Sequence, residues 1–295
     1  MDVDLDAGGT LDDLVGPLSL DERDRRDVET DTARARFIQT VARLHLTMEA
    51  LEPADPEAGD DALEGALIRR EVDLLAAPNL VVTVHRGRIG ALERFEEGLT
   101  GDTSLGVLSA ADLVSSLVDE VITGYYGLAE AIEQEIDLLD QAALRSRKDH
   151  DVLAEIVAIR RRIGVIRRTL TPHRSALAAL ARPETQADAE SVGQPWPGLV
   201  DRMEGALAAI EALRDTLLGT YDIHMGRTAQ RANEVMKALT LLSALLLPAL
   251  VLGGIMGMNF DVPIFEETGN FYVVVGAMAG FVLALLGFAK WRDWL

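Results

Sequence analysis

Residues 199–256 read LVDRMEGALAAIEALRDTLLGTYDIHMGRTAQRANEVMKALTLLSALLLPALVLGGIM. Nothing but Pro248 interrupts a run compatible with one continuous helix, and at 1.5 Å per residue that helix would extend on the order of 85 Å. The hydrocarbon core of a bilayer takes up about 30 Å. The helix must therefore leave the membrane as a stalk, polar as far as Lys237 and apolar from Leu239 to Met256. A second apolar stretch, Tyr272 to Ala289, is also long enough to span. The linker between them, residues 257–271, is short and permits only an antiparallel pair. Both ends of the chain then lie on one side of the membrane.

Working outward, the sequence divides into an acidic, partly ordered segment 1–35 and a cytoplasmic α/β and helical domain 36–182. A Pro- and Gly-containing break follows at 183–198, then the stalk helix 199–238. The first span is 239–256, the outer loop 257–271, the second span 272–289 and a basic tail 290–295. Lys237, Lys290 and Arg292 flank the spans on the side of the termini, whereas Asp261, Glu266 and Glu267 fall in the opposite loop. The excess of Lys and Arg beside the spans predicts that both termini are cytoplasmic. A cell (inner) membrane protein with two spans is the expected location. The start, Met1-Asp2-Val3-Asp4, lacks an apolar core, so no cleavable signal peptide is expected and targeting falls to the spans.

The formal net charge of the 295 residues is −20, and about −18 of it lies upstream of the spans. Such a surface repels nucleic acid and anionic headgroups and accumulates cations; solubility alone accounts for it equally well. The absence of cysteine removes disulfides, thiolate zinc sites and thiol nucleophiles. His45, His85, His150, His173 and His224 show no metal-ligand spacing, and no phosphate loop or nucleophile elbow is present. The chain is read as no enzyme.

Within the domain, Phe37–Leu44, Glu71–Leu75 and Leu80–His85 read as strands of a small sheet, the last two around the turn Ala77-Pro78-Asn79. From Ser109 the pattern turns helical, with Leu113, Leu117, Val121, Leu128, Ile132, Ile136 and Leu139 at three- and four-residue steps. A second helical run covers Val152 to Leu180. Its Arg160, Arg161, Arg162, Arg167 and Arg168 read as a solvated face paired with acidic neighbours rather than as a nucleic-acid surface.

Two spans per chain cannot enclose a polar path, so a pore would need several copies around an axis. Alternating steps of three and four from Asn233 give Met236, Thr240, Ser243, Leu247, Leu250, Gly254 and Gly257, a coiled-coil seam that continues into the membrane. Its ends are polar or small and its middle is apolar. A tight bundle without a lumen explains this periodicity as well as a pore does.

The end of the span adds a more specific signal. Gly257-Met258-Asn259-Phe260, after a Pro-containing apolar helix and before a short acidic loop and a last span, resembles the CorA family of magnesium channels. Asn233-Glu234-Val235-Met236-Lys237-Ala238-Leu239-Thr240 is similar to that family's inner pore entrance. Lys290-Trp291-Arg292-Asp293-Trp294-Leu295 is similar to its basic tail, and Thr83-Val84-His85-Arg86 to its cytoplasmic sheet. The resemblance implies an α+β cytoplasmic domain, a small sheet with flanking helices, feeding a long stalk helix and two transmembrane helices in a funnel-shaped homopentamer.

It further implies that Gly257, Met258 and Asn259 form the outer selectivity filter and that Asn233 lines the cytoplasmic end. Asn259 and Asn233 would meet the metal through its hydration shell. Mg²⁺ dehydrates reluctantly, so a ring of neutral amide carbonyls that grips the hydrated ion releases it faster than one that strips its water. Gly257 allows close backbone approach. Met236, Leu239 and Leu247 would be apolar constrictions that block ions by dewetting, or seam packing, or both. Asp222, eleven residues before Asn233, is either a further acidic ring or a solvated stalk carboxylate. Glu266 and Glu267 would raise the cation concentration at the outer mouth.

The loop Val262-Pro263-Ile264-Phe265-Glu266-Glu267 departs from the family's usual Met-Pro-Glu-Leu. Met256 stands in place of a common Tyr, and Leu250 where relatives often carry Thr. These departures touch ion preference more than architecture. The expected cargo is Mg²⁺, also a possible regulatory ligand, with Co²⁺ and Zn²⁺ as alternatives. Moving a divalent ion inward gains roughly 4.6 kcal/mol per 100 mV, twice the single-charge value, so no other cofactor is expected. The alternatives are a zinc transporter of the same superfamily, possibly proton-coupled, and a non-conducting membrane scaffold. The partners expected are further copies of the chain, lipid and divalent cations, not nucleic acid.

Overall fold

The structure, a computed structural model, describes residues 1–11, 18, 20, 22–30, 34–40, 43–54, 67–77, 80–99, 109–145, 149–182, 196–258 and 268–292. They divide into two compact units, Met1–Tyr221 and Asp222–Leu295.

The first unit is built on a five-stranded sheet in the order β1-β5-β4-β3-β2. The strands are β1 (Asp2–Asp4), β2 (Arg36–Gln39), β3 (Leu44–Pro53), β4 (Leu67–Ala77) and β5 (Leu80–His85). β1 lies parallel to β5, and the other neighbours are antiparallel. Among the described residues of both units there are six helices: α1 (Glu22–Glu29), α2 (Gly90–Leu99), α3 (Ala110–Arg145), α4 (Asp149–Leu180), α5 (Trp196–Met256) and α6 (Thr268–Trp291).

Alternation along β3 and β4 explains why the sheet has two cores. Leu46 and Met48 face Leu74 and Val72 across the ladder and join the buried faces of α3, α4 and the first part of α5. The other side carries Leu75, Val82 and Val84, which pack with Val3, Leu11, Leu18, Leu20 and Val28. Successive strand residues point to opposite faces, so a strand covered on both sides needs apolar residues at both parities.

Polar residues on that second side are compensated rather than solvated. Buried His45 and Asp73 meet through Nε2 and Oδ1 at 2.6 Å, and the Thr47 hydroxyl donates to the same Oδ1 at 2.7 Å. The Glu49 carboxylate, also buried, has the Arg69 guanidinium at 3.3 Å. Buried charges and hydroxyls persist only with such partners.

Two sequence expectations need correction here. Phe37–Leu44 is not one strand: Gln39 pairs with Leu44, and Thr40 donates its N–H to the Arg43 carbonyl, so the run turns back as a β2–β3 hairpin. The acidic segment 1–35 supplies more than loose chain, since β1 completes one sheet edge and five of its apolar residues close the second core. The turn at Pro78-Asn79 and most of the break 183–198 lie outside the described residues.

The helix expectations hold in extent and largely in phase: Leu117, Val121, Ile132, Ile136 and Leu139 are buried as expected. On α3 the fully buried line runs through Val114, Val118, Ile122, Tyr125, Ala129, Ile132 and Ile136, while Leu113 and Leu128 are only half-buried. Tyr125 shows why: its hydroxyl donates to the Glu49 carbonyl at 2.6 Å, and its ring meets His173 edge-on with centroids 5.9 Å apart. His173 Nε2 in turn accepts the Glu49 N–H at 2.8 Å while Nδ1 donates to the Thr169 carbonyl at 2.8 Å. β2 pairs with β3 only as far as Thr47. Glu49 is the next residue with its backbone on that open edge, and two helical side chains satisfy both of its polar groups. Burial lowers the His173 pKa from 6.5 to about 4, so the ring is neutral in the folded protein.

Candidate functional site

The second unit consists of α5 from Asp222 onward, the segment that follows it and α6. Both helices are long and apolar enough to cross a membrane, with mean hydropathy 2.3 in the most apolar window of each. Pro248 does not end α5, which continues to Met256. The chain leaves the helix in a tightening turn: Gly257 N–H bonds the Gly253 carbonyl at 3.0 Å and Met258 N–H the Ile255 carbonyl at 3.2 Å. That shift from a four-residue to a three-residue step is the ordinary way a last helical turn satisfies its carbonyls.

The seam residues Asn233, Met236, Thr240, Ser243, Leu247, Leu250, Gly254 and Gly257 are all exposed. Met236, Leu247 and Leu250 stand at 61%, 66% and 71% exposure, values that no water-soluble helix leaves on a continuous apolar stripe. The same helix half-buries a different stripe, Leu241, Ala244, Leu245, Pro248 and Ala249. α6 has a comparable one at Val274, Met278, Val282 and Leu285, ending at buried Ala289. Thus the seam lies within a wider exposed surface of α5 that also carries Leu239, Leu242, Leu246, Val251 and Ile255.

Details of the seam's inner end bear on its chemistry. Gln230, Asn233, Glu234, Met236, Lys237 and Thr240 line a shallow cavity of about 350 Å³. The Thr240 hydroxyl donates to the Met236 carbonyl at 2.8 Å, so its proton is used within the helix and only oxygen lone pairs remain for a visitor. Leu239, at 57% exposure, neighbours that cavity one position off the seam. Asp222 is exposed and just over three full turns before Asn233, hence on the same face. Among the described residues, no three His, Asp or Glu side chains come together to hold a metal ion.

At the outer end the structure describes Gly257 and Met258, the latter 51% exposed. Asn259, Glu266 and Glu267 lie outside the described residues. A side chain at Gly257 would meet the Gly253 carbonyl oxygen at 3.4 Å, an ordinary contact, so the described residues of one chain do not require glycine there.

In the first unit, the residue that sequence reasoning passed over is His173. It stands in an Arg-rich helix directly after Pro172 with no neighbour of matching chemistry, and only the fold brings it to β3. The arginine face also differs from expectation. Arg162 pairs with Glu135, but Arg160, Arg161, Arg167 and Arg168 form no ion pair among the described residues.

Comparison with known proteins gives one consistent answer. The family model described as "CorA-like Mg2+ transporter protein" matches residues 1–289. The cobalt/magnesium transport protein CorA of Thermotoga maritima is 27% identical over 184 residues, 62% of this chain and 52% of its own length. The chain therefore matches about half the length of that relative. Among solved structures, the complete CorA magnesium transporter from Methanocaldococcus jannaschii superposes with a TM-score of 0.74 at 17% identity, covering 97% of this chain and 87% of that one. The full-length CmaX protein gives 0.68 at 19% identity, covering 94% and 84%. At these identities the superpositions speak to the fold: an α/β domain, a long helix and a terminal pair of apolar helices.

Proposed function

The chain belongs to the CorA-like Mg²⁺ transporter family, and from that premise we propose that copies of it assemble into a membrane channel that conducts hydrated divalent cations, Mg²⁺ and with it Co²⁺, down their electrochemical gradient. One observation carries this reading. The Asn233–Gly257 face of α5 is exposed from end to end although the helix half-buries another face. A membrane helix whose exposed surface includes a stripe with amide, hydroxyl and glycine at its ends suits an axis shared by several copies on that stripe and lipid on the apolar remainder.

In the proposed assembly, a homopentamer with both termini in the cytoplasm of a cell (inner) membrane protein, each position has a role set by its chemistry. Asn259 amide carbonyls at the outer ring, with Gly257 and Met258, accept hydrogen bonds from the first-shell waters of the ion. Asn233 does the same at the inner end, and the lone pairs of Thr240 and the hydroxyl of Ser243 extend the polar lining. Met236, Leu239, Leu247 and Leu250 narrow the path, and Gly254 leaves room near the filter. Asp222 forms an inner carboxylate ring, and Glu266 and Glu267 concentrate cations outside. Since one chain tolerates a side chain at 257, the demand for glycine is assigned to neighbouring copies and the passing ion. Cytoplasmic Mg²⁺ bridging carboxylates of adjacent acidic copies would offset their repulsion and hold the path shut.

The test is Mg²⁺ uptake into liposomes containing the purified protein, with cobalt hexammine as a mimic of the hydrated ion. Uptake blocked by the mimic and lost in Asn259→Ala supports the reading. Zn²⁺ flux driven by a pH gradient without Mg²⁺ flux would replace it with a zinc transporter, and no flux of either ion with a scaffold.

A further inference from the structure

The first unit carries a groove that its own fold does not fill. Between α4 and α5, a cavity of about 580 Å³ opens over Leu153, Val157, Leu218 and Tyr221. These four are exposed by 39%, 41%, 49% and 37%, an apolar floor left in water. Arg160, Arg167 and Arg214 line the same groove, and none of them forms an ion pair among the described residues. Three unpaired guanidinium groups over an apolar floor are unusual in a chain of net charge −20.

α3 presents the complementary surface. Leu138 is 64% exposed, an isolated apolar side chain flanked on the helix by exposed Glu130, Glu133 and Asp137. These three carboxylates likewise have no partner among the described residues. The Arg162–Glu135 ion pair between α4 and α3 places this ridge and the groove at one height along the bundle. Two surfaces related by rotation about an axis running along the helices must share that height.

We infer that the α4–α5 groove of one copy receives the acidic α3 ridge of the next, with Leu138 on the apolar floor and Glu130, Glu133 and Asp137 opposite Arg160, Arg167 and Arg214. The contact is heterologous, groove to ridge, so repeating it goes beyond a dimer and forms a ring where the rotation between copies closes. It rests on the self-association proposed above and specifies where, outside the membrane, the copies hold one another. It also accounts for arginines that electrostatics within one chain leaves idle.

The chain contains no cysteine, so paired cysteines report the contact cleanly. Full-length protein in detergent carrying Leu138→Cys and Leu218→Cys is oxidised and its mass read on a denaturing gel, with native mass measured in parallel. The expected result is a ladder of covalent multimers absent from either single-cysteine variant. Arg160→Glu with Arg167→Glu on that background lowers the yield about tenfold or more, a coupling of ~1.4 kcal/mol. Adding Glu133→Lys and Asp137→Lys restores it. An oligomer by native mass without the ladder, or with cross-links confined to the monomer, overturns the groove contact and leaves self-association standing. A monomeric native mass overturns both.

Discussion

The two units solve opposite solvent problems with similar helices. In Met1–Tyr221, α3, α4 and the first part of α5 turn their apolar residues onto the sheet and one another, and Ile122, Ile166, Leu170 and Met203 are buried completely or nearly so. In Asp222–Leu295, Leu247, Leu250, Val273 and Leu283 stand 66–71% exposed. The core of the first unit lies inside one chain, whereas the apolar residues of the second have no comparable cover among the described residues of one chain. Large apolar side chains are thus exposed at a few positions in the first unit and along both helices of the second.

The largest expected break between them comes from separation. Residues 1–221 alone remain soluble and unfold in one cooperative transition, while residues 222–295 alone stay in solution only with detergent; circular dichroism with and without detergent decides. Aggregation of the 1–221 fragment would mean that its core is incomplete.

Point substitutions sharpen the contrast. Leu170→Ala, at a fully buried site, costs the 1–221 fragment about 2–5 kcal/mol of unfolding free energy in urea. Leu250→Ala leaves helix content and domain stability unchanged within ~0.5 kcal/mol and acts on ion flux.

Acid provides a third test. The folded pKa of His173 is depressed from 6.5 to about 4, so the stability that depends on its neutral form is fully present above pH 6.5 and is lost as pH falls toward 4. The loss amounts to about 3 kcal/mol, and His173→Leu, less stable at neutral pH, lacks this part of the pH dependence. His85 has the opposite sign. The hydrogen bond to Asp2 raises its pKa above 6.5, so its contribution is present below 6.5 and fades as pH rises through the raised value. In urea titrations the wild type should exceed His85→Gln in acid and converge with it toward alkaline pH.

The smallest effect expected is Tyr125→Phe, about 1 kcal/mol for a lost buried hydrogen bond, with the ring packing retained.

Comparing the units also explains what the sequence disclosed. The long helices and the spans were legible because period and length are local properties. β1 was hidden, since Asp2-Val3-Asp4 offers one apolar residue and its strand state comes from pairing with β5, about eighty positions away. The β2–β3 hairpin was read as one strand because its turn carries no glycine or proline to mark it. The arginines of α4 were expected to be paired because charge patterns along a helix give sign but not partner. Only packing shows that Arg162 reaches Glu135 and that its neighbours do not.

The closure of β3 at Glu49 has a consequence on the time axis. Its amide proton is held by a side chain from α4 and its carbonyl by one from α3, so neither group reaches water by fraying of the strand alone. Hydrogen exchange at this single amide should therefore proceed only through opening of strand and helices together. Residue 49 then serves as a built-in clock for global unfolding of the unit, against which the exchange of every other amide can be ranked.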